Sequence, residues 1–494
     1  MTNPTWFKGL FPAFVLFFCS AFTFAQPGSL DLSFDPGTGA NSSVLATVIQ
    51  PDGKVLVGGD FTMFNGQSVS RIVRLNTDGS IDNTFLQQGS GFNNTVYEIQ
   101  LEPGGTMIVA GAFTAYDGTN RSRLARLNGD GSLDGSFIPG TINNSVSVIA
   151  IQPDGKILIG GNFNNVAGSP IGRLARLNTD GSLDAPFSTG AGFNNLVASI
   201  EIQPNGRILV GGAFTSFNGV TENRITRIMP DGSLDSGFNP GTGANDIVSA
   251  IVVQPDNKIV LAGNFTVING PSINGVCRLM EDGTVDTGFN NGGSGFTSTI
   301  PVPMDLALQA DGKILLGGSF DTFNGVARPY VARLETNGDL DLSFGSADQF
   351  GLWVLSIAIQ LDGKAICSGF FSSYNGVNRN GVARLNGDCI SSTWYADADS
   401  DGYGDPNTPT AACTQPPGTV ANADDCDDTN PAIGVAPIWF ADNDMDGYGD
   451  PNVTILGCTQ PPNGVSNSND CDDTDPGITE LMWFQDEDGD GFAG

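Results

Sequence analysis

Hydrophobic residues recur along this chain in short runs separated by turn-forming residues. The stretch from Ile151 to Phe187 holds an apolar run, a Pro-Asp-Gly-Lys turn, a second run ending in a glycine pair, and two further short runs. Asp-Gly between β-rich runs indicates a hairpin, so the runs predict antiparallel strands rather than helices. The strands expected for this copy are Val146–Gln152, Lys156–Phe163, Arg173–Asn178 and Leu183–Phe187.

The same pattern occurs seven times between Gly28 and Cys389. The second run of each copy is apolar on successive residues, which suits a strand covered on both faces by stacked sheets. Its paired glycines, such as Gly160 and Gly161, allow a bulge or a close backbone approach. An arginine in the third run marks each copy at nearly regular intervals, as Arg74, Arg126, Arg176, Arg227, Arg278, Arg333 and Arg384.

The two ends of the array distinguish a closed propeller from an open solenoid. The seventh copy runs into Cys389 before its fourth strand, whereas Ser29 to Phe34 reads as a fourth strand without the first three. Pairing of these ends would complete the last copy. We therefore predict an all-β fold over residues 26–389, a seven-bladed β-propeller of four-stranded antiparallel blades closed by its N-terminal strand.

The repeat resembles the delta-60 repeat family of bacterial β-propellers, through the motifs QPDGKILIGGNF and RLARLNTDGSLD. The resemblance covers the chain from about Gly28 to Cys389. It implies the propeller fold and an exported location, but no particular activity.

Charged residues that recur in every copy favour structural roles. Of each aspartate pair, such as Asp180 and Asp184, the first should form a turn and the second should cap the next connection. The arginines should brace neighbouring blades by binding carbonyls or turn aspartates, the alternative being that they line a ligand-binding face. Segments such as Phe217-Asn218-Gly219 read as aromatic plugs, with glycan stacking as the alternative. Cys277 and Cys367 read as small core residues.

The overall charge excludes several classes of partner and of chemistry. A formal net charge of -32 argues against nucleic acid and against anionic membranes, since both need clustered Lys and Arg. The chain contains no histidine, which removes Ser-His-Asp and Cys-His catalysis and His-ligated zinc. Carboxylate chemistry remains possible for an enzyme.

Residues 1–25 are typical of a secretory signal peptide. Lys8 precedes an apolar run from Leu10 to Phe24, and Thr23-Phe24-Ala25 offers small residues for cleavage. The alternative is a membrane anchor, but the run is short and contains Pro12. We expect the mature chain to begin near Gln26, to lack a membrane span, and to be secreted or held at the cell surface.

An acidic tail follows the repeats. Residues 390–494 carry 21 of the 53 acidic residues and none of the 21 Lys and Arg. We divide the tail into units 390–434 and 435–479 and an incomplete unit 480–494. Because the sequence stops inside a unit, we expect it to be a fragment. Each unit contains Asp-x-Asp-x-Asp-Gly, with the acids Asp397, Asp399 and Asp401, then Asp442, Asp444 and Asp446, then Asp486, Asp488 and Asp490.

Alternate carboxylates followed by glycine let the backbone wrap around one hard cation, and oxygen ligands without histidine favour Ca²⁺. A full EF-hand is not present, because Thr408 and Val453 stand where that loop needs glutamate. Asp405 and Asp450, at the ninth loop position, are expected as further ligands. Additional acids follow Asp401 and Asp446 at the same interval and could close the same sites, namely Asp425, Asp427 and Asp428, and Asp470, Asp472 and Asp473.

Cysteines recur in the same units. The spacing from Cys413 to Cys426 equals that from Cys458 to Cys471, and we predict one disulfide within each unit. The alternative is a disordered acidic stalk without metal. The motifs WYADADSDGYGDP and ADDCDDTNP resemble the MopE-type metal-binding-motif repeats of secreted bacterial proteins and, more distantly, thrombospondin type 3 repeats. The resemblance implies Ca²⁺ binding at the Asp-x-Asp-x-Asp positions.

These features predict an exported, non-enzymatic surface protein. Its propeller would present a face to an unknown protein or glycan ligand, and its tail would bind Ca²⁺. The alternatives are a carbohydrate-active or other carboxylate-dependent hydrolase, which needs two acids on one face and a departure from blade symmetry, and a purely structural spacer.

Overall fold

A computed structural model describes residues 26–85, 90–297, 303–345, 350–388, 392–412, 415–431, 434–470 and 472–476. The predicted signal peptide and the third acidic unit lie outside these ranges. The chain divides after Asp388 into two compact units. The described residues form strands, turns and bends without a helix, so none of them forms a helix long and apolar enough to cross a membrane.

The repeats of the first unit each form a three-stranded antiparallel sheet, numbered here as repeats 1 to 7 in chain order. The first strands are Val44–Ile49, Val96–Leu101, Val146–Ile151, Val197–Ile202, Val248–Val253, Pro303–Leu308 and Val354–Ile359. The second strands are Val55–Gly59, Met107–Gly111, Ile157–Gly161, Ile208–Gly212, Ile259–Gly263, Ile314–Gly318 and Ala365–Gly369. The third strands are Ile72–Leu75, Leu124–Leu127, Leu174–Leu177, Ile225–Ile228, Val276–Leu279, Val331–Leu334 and Val382–Leu385.

The expected fourth strand is reduced to one bridging residue in each repeat. In repeat 3 this residue is Leu183, which pairs with Leu177. The Phe187 N–H then donates to the Asp184 carbonyl at 3.1 Å, which turns the chain out of the sheet. The prediction of a strand from Leu183 to Phe187 is therefore wrong beyond its first residue.

Short hairpins replace the expected loop between the second and third strands. They pair Met63–Phe64 with Gln67–Ser68, Ala115–Tyr116 with Thr119–Asn120, Asn165–Val166 with Ser169–Pro170, Ser216–Phe217 with Val220–Thr221, Thr322–Phe323 with Val326–Ala327, and Ser373–Tyr374 with Val377–Asn378. Repeat 5 keeps only the bridge between Val267 and Ser272. The strand Phe296–Thr297 adds to the hairpin of repeat 6.

Core packing lies between consecutive sheets. Every residue of each second strand is buried, as expected for a strand covered on both faces. The paired glycines accommodate a bulge: Val44 pairs with Gly59 and Ala46 with Gly58, and a Cβ on Gly59 would lie 2.2 Å from the Ser43 carbonyl oxygen. Cys277 and Cys367 are buried core residues, as predicted.

The repeated arginines brace neighbouring repeats, as predicted. Arg74 donates through Nε to Asp82 at 2.8 Å, through Nη1 to the Gly129 carbonyl of repeat 2, and lies 4.9 Å from the centre of the Phe85 ring. Corresponding arginines make the same kinds of contact along the array. Arg384 of repeat 7 donates in the same way to the Thr77 carbonyl of repeat 1, at 2.8 Å.

The N-terminal segment supplies the missing partner of the last repeat. Leu30 bridges Leu385, and the Asp31 N–H donates to the Arg384 carbonyl at 2.8 Å. Asp31 also accepts from Arg384 Nε at 2.8 Å, where Asp82 accepts from Arg74 in repeat 1. The fully buried Phe34 takes the ring position beside the Arg384 guanidinium.

The second unit contains two small sheets. Their strands are Ser392–Ala396, Thr410–Ala412 and Thr419–Val420 in one, and Ile438–Ala441, Thr454–Leu456 and Gly464–Val465 in the other. In each sheet the first strand lies between the other two. The loop after each first strand carries the Asp-x-Asp-x-Asp-Gly motif.

Among the described residues of this unit, a disulfide joins Cys426 to Cys458, with Cα atoms 4.9 Å apart. The predicted pairs Cys413–Cys426 and Cys458–Cys471 are therefore wrong, while Cys413 and Cys471 themselves lie outside the described residues. Cys426 donates its N–H to the Gly434 carbonyl at 3.0 Å, and Gly457, beside Cys458, donates to Pro437 at 3.4 Å. Both cysteines thus lie beside the segment that links the acidic units. The equal spacing of the cysteines along the sequence did not predict which of them are bonded.

Candidate metal centres and a polar cavity

The acidic loops turn tightly because their aspartates bind the backbone that follows them. The Asp397 N–H is held by the Gly418 carbonyl at 3.0 Å, which anchors the start of the first loop. The Asp401 N–H then donates to Asp399, and the Tyr403 N–H donates to Asp401. Gly402 follows with φ of 95°, a left-handed conformation that favours glycine. These contacts bring alternate carboxylates to one side of the loop.

Two groups of three carboxylates form in the first acidic unit. In each, one oxygen from every residue lies within 4.8 Å of the others, and the groups are Asp397, Asp399 and Asp428, and Asp399, Asp401 and Asp425. Asp399 belongs to both groups. Asp425, which follows Asp401 at the interval noted in the sequence, is therefore beside it in space, and it is buried.

The second acidic unit repeats this arrangement. Its groups are Asp442, Asp444 and Asp473, and Asp444, Asp446 and Asp470, with Asp444 shared. The Asn443 N–H donates to Asp473 at 2.7 Å, as the Ala398 N–H donates to Asp428 at 2.6 Å in the first unit. The same geometry thus arises twice from the same spacing.

Several carboxylate oxygens in these groups are buried without a hydrogen-bond partner. They are Oδ1 of Asp397 and Oδ2 of Asp399, Asp425, Asp444, Asp446 and Asp470. A buried polar atom without a partner costs free energy, and a buried anion costs more. Loss of solvent, together with the neighbouring carboxylates, raises the pKa of Asp399 and of Asp444. A hard cation held within each group would provide a partner for the oxygens of that group.

Other predicted ligands lie outside the four groups. Asp405 and Asp450 accept hydrogen bonds from Asn407 and Asn452, and thereby form turns. Asp427 and Asp472 likewise accept from the hydroxyls of Thr429 and Thr474. Asp486, Asp488 and Asp490 fall outside the described residues. The structure therefore brings together ten of the predicted aspartates and assigns local turn roles to four.

A polar cavity of about 360 Å³ lies among the first strands of the seven repeats. Glu98 of repeat 2 and Asp305 of repeat 6 line it, where the other repeats have Ala46, Val148, Ser199, Ala250 and Ser356. Sequence reasoning missed this pair, although aligning the repeats at their first strands would have revealed both departures. Lys, Arg and His are absent from the lining residues that the structure describes.

Both carboxyls in the cavity titrate abnormally. Burial, reinforced by the charge of Asp305, raises the pKa of Glu98 to about 8, although a hydrogen bond from Gln100 opposes the shift. Burial also raises the pKa of Asp305 to about 6, against backbone hydrogen bonds from Ile357 and Leu306 that favour its ionised form. Because the two acids line one cavity without a basic partner, ionisation of both at once is unfavourable.

Replacing Glu98 by Gln should therefore stabilise the protein in a pH-dependent way. Folding raises the carboxyl pKa from 4.5 to about 8, so stability falls as pH rises between these values and levels off above the upper one. We expect Glu98→Gln to gain about 1–3 kcal/mol above the upper pKa and almost nothing below the lower one, after allowance for partial solvent screening. Urea unfolding over this pH range measures the effect.

The exposed Glu281, replaced by Gln in the same way, is the matched control and should leave the pH profile unchanged. A Glu98→Gln profile that runs parallel to the wild type would contradict the predicted pKa.

Comparison with known proteins identifies the repeats. Seven stretches match the family described as "Domain of unknown function (DUF5122) beta-propeller", at residues 50–85, 103–137, 152–187, 203–238, 254–289, 309–344 and 360–388. With the repeated antiparallel sheets, this match defines a β-propeller repeat protein. Residues 50–388 carry the repeats of the DUF5122 β-propeller family, to which the chain belongs.

Solved structures with similar folds include the WD40 β-propeller domain of Doa1, with 14% identity, a TM-score of 0.47, and coverage of 74% of this chain and 98% of that one. A catalytically inactive virginiamycin B lyase from Staphylococcus aureus matches at 14% identity and a TM-score of 0.43, and the match covers 72% of this chain and 99% of that one. The extracellular domain of the putative hybrid two-component system BT3049 from B. thetaiotaomicron matches at 14% identity and a TM-score of 0.43, and the match covers 75% of this chain and 44% of that one. No curated protein matches the chain. The resemblances to delta-60 and MopE-type repeats stay predictions.

Proposed function

We propose that this chain is an exported, non-enzymatic binding scaffold whose acidic units hold Ca²⁺. In this proposal seven blades close into a ring that presents a binding face for a protein or glycan ligand. The observation that carries the calcium assignment is the group of Asp444, Asp446 and Asp470, in which each residue has a buried oxygen without a hydrogen-bond partner.

The donor set fits calcium better than other common metals. Every candidate ligand is a carboxylate oxygen, which suits hard cations, and softer metals prefer sulfur or imidazole. Asp399 and Asp444 would each bridge two ions, since each belongs to two groups. The disulfide between Cys426 and Cys458 holds the linked units together and suits an oxidising compartment, which supports export.

Calcium is expected to bind the intact protein and to raise the melting temperature of the acidic units. At a free concentration of about 100 times Kd, one site stabilises its unit by about 2.7 kcal/mol. Calorimetric titration measures the binding, and a melting scan with and without chelator measures the stabilisation. Asp399→Ala and Asp444→Ala should each remove the binding of one unit, because each removes a shared ligand.

Asp424→Ala is the control, since this residue is exposed, adjacent to the first site, and outside all four groups. Absence of binding heat, together with a melting curve that the chelator does not change, would remove the metal from the proposal. Equal losses in all three variants would indicate nonspecific charge effects.

Ring closure is supported by contacts that repeat 7 shares with the other repeats. A hydrophobic cluster combines Ile366 and Val382 of repeat 7 with Val55 and Phe61 of repeat 1, and Thr47 is hydrogen-bonded to Ser368 across the same junction. The first strands of repeats 7 and 1 also contact each other, as do those of the other neighbouring repeats.

A carboxylate-dependent hydrolase is the second candidate, and the pair Glu98 and Asp305 favours it. Both line one cavity, and both depart from the pattern of the repeats. A general acid with a raised pKa beside a second carboxylate is the arrangement that glycoside hydrolysis uses. Release of nitrophenol from aryl glycosides, lost in Glu98→Gln and in Asp305→Asn, would favour this candidate over the scaffold.

A further inference from the structure

Repeat 7 departs from the other repeats in the segment that precedes its first strand. Repeats 1 to 5 have Asn at the position of Gly351 and Ser, Asn or Asp at the position of Leu352. Trp353 follows, where repeats 1 to 3 have Ser or Thr. In repeat 1 the replaced asparagine, Asn41, fastens the hairpin by accepting the N–H groups of Thr62 and Met63.

A second pair of changes lies directly opposite. Arg71 of repeat 1 binds the Asp60 carboxylate at 2.6 Å, and the equivalent arginines of repeats 2, 3 and 4 bind the carbonyl at the position of Asp60. In repeat 7 glycine replaces the arginine, as Gly381, and phenylalanine replaces the aspartate, as Phe370. Repeat 5 also has glycine at this position, as Gly275, so the aromatic ring of Phe370 is the change found in repeat 7 alone.

The result is a notch of about 190 Å³ between repeats 7 and 1. Asn41 and Ser42 line it from repeat 1, and Leu352, Phe370 and Ser372 line it from repeat 7. The side chains of the described lining residues include no charged group. The notch is therefore an uncharged aromatic and polar surface on a chain of net charge -32.

The apolar side chains of the notch are exposed together. Leu352 is 39% exposed, Phe370 is 46% exposed, and the neighbouring Trp353 is 38% exposed. The Trp353 and Phe370 rings lie with centroids 6.3 Å apart and planes at 50°. Scattered exposed apolar residues are ordinary, but grouped aromatic rings rimmed by polar groups mark a binding site.

We infer that this notch binds a neutral oligosaccharide, with a sugar ring stacked against Trp353 or Phe370. A pyranose offers a weakly positive C–H face to the negative face of an aromatic ring, and hydroxyls to polar groups such as those of Ser42 and Ser372. The uncharged lining and the negative chain disfavour uronates and sulfated sugars, which require basic side chains. This assignment rests on the proposed binding function and specifies its ligand class and its site.

Calorimetric titration of the intact chain with neutral hexaoses tests the inference, with the malto, cello, xylo, manno and chito series as probes. We expect saturable binding of at least one probe at millimolar concentration or below. Trp353→Ala should weaken that binding roughly tenfold or more, which corresponds to about 1.4 kcal/mol. Quenching of indole fluorescence, present in the wild type and reduced in Trp353→Ala, gives an independent readout.

A double variant rebuilds the ion pair of repeat 1 inside the notch. Phe370→Asp with Gly381→Arg removes the aromatic ring and places a carboxylate and a guanidinium where repeat 1 has Asp60 and Arg71. Arg71 occupies the equivalent position with φ of 77°, close to the 76° of Gly381, so the backbone conformation suits arginine, but a Cβ on Gly381 would lie 3.0 Å from Val44 Cγ2 and 3.2 Å from Ala40 Cβ. This variant should lose the oligosaccharide, and its melting temperature reports whether Val44 and Ala40 shift to admit the arginine.

Ile138→Ala is the matched control, because it truncates an apolar side chain that is 65% exposed elsewhere on the repeats. It should bind like the wild type. If no hexaose binds, the inference is overturned, and the broader binding function is then decided by protein ligands. If a hexaose binds equally to the wild type, Trp353→Ala and the double variant, the scaffold proposal stands and the site assignment falls.

Discussion

Removing residues 26–36 should lower the free energy of unfolding of the repeats by more than about 5 kcal/mol, because two buried interactions are lost together. The deletion removes Phe34, a fully buried ring whose truncation alone costs about 3–5 kcal/mol. It also removes Asp31, which leaves Arg384 buried without its carboxylate, a further loss of about 3–5 kcal/mol when a buried pair is broken. Thermal and urea unfolding of the intact and shortened chains measure the difference.

Point variants separate ring closure from a general effect of truncation. Phe34→Ala should destabilise strongly, whereas Leu32→Ala, at a nearby position that is 71% exposed, should change little. A synthetic peptide of residues 26–36 should restore part of the lost stability to the shortened chain. An unchanged melting curve after the deletion would favour an open array of repeats over a ring.

Recurrence in the sequence predicted the repeats well, because each copy carries the same hydrophobic runs and Asp-Gly turns. Local pattern was less reliable where tertiary contacts decide the outcome. The hydrophobic pattern predicts a strand that begins at Leu183. Asp184 instead forms ion pairs with Arg176 at 2.6 Å and with Lys156 at 3.0 Å, and the chain turns after it. An ion pair between distant residues has no trace in a local hydrophobic pattern.

The acidic units illustrate the same limit in two ways. The interval from Asp401 to Asp425, repeated in the next unit, correctly anticipated that these residues lie together, because both follow turns of one small unit. The equally regular interval from Cys413 to Cys426 suggested a disulfide that does not form, because Cys426 lies at the segment leading into the next unit and bonds to Cys458. A regular interval indicates a repeat but not which side chains of adjacent repeats meet.

Residues that differ from their counterparts in the other repeats line the candidate sites of the repeats, and the pattern shared by all copies does not show them. Glu98 and Asp305 belong to repeats 2 and 6, far apart in the sequence, yet both line one cavity. Their proximity follows from the arrangement of the first strands and could not be read from sequence distance. The changes at Leu352, Trp353 and Phe370 are visible in the sequence, but their grouping in one notch requires the structure.

Arg333→Ala is expected to destabilise the repeats by about 3–5 kcal/mol, because it breaks a buried ion pair and leaves the partner charge in place. Arg333 is fully buried, and it contacts Asp341 at 2.7 Å and Asp388 at 2.8 Å. Its guanidinium also lies 4.6 Å from the centre of the Phe344 ring. Lys313 still pairs with Asp341 at 2.8 Å, which keeps the expected loss within this range.

Arg126→Ala is the matched control, because Arg126 makes the same kind of contacts from a more solvated position. Its side chain is 15% exposed and its partner Asp134 is 18% exposed, against 0% and 3% for Arg333 and Asp341. Water can replace the lost partner at Asp134, so we expect a loss of about 1 kcal/mol there. Urea unfolding of both variants measures the difference. Equal losses at the two positions would mean that the stacking of the guanidinium on the phenylalanine ring, which both arginines share, dominates over the buried ion pair.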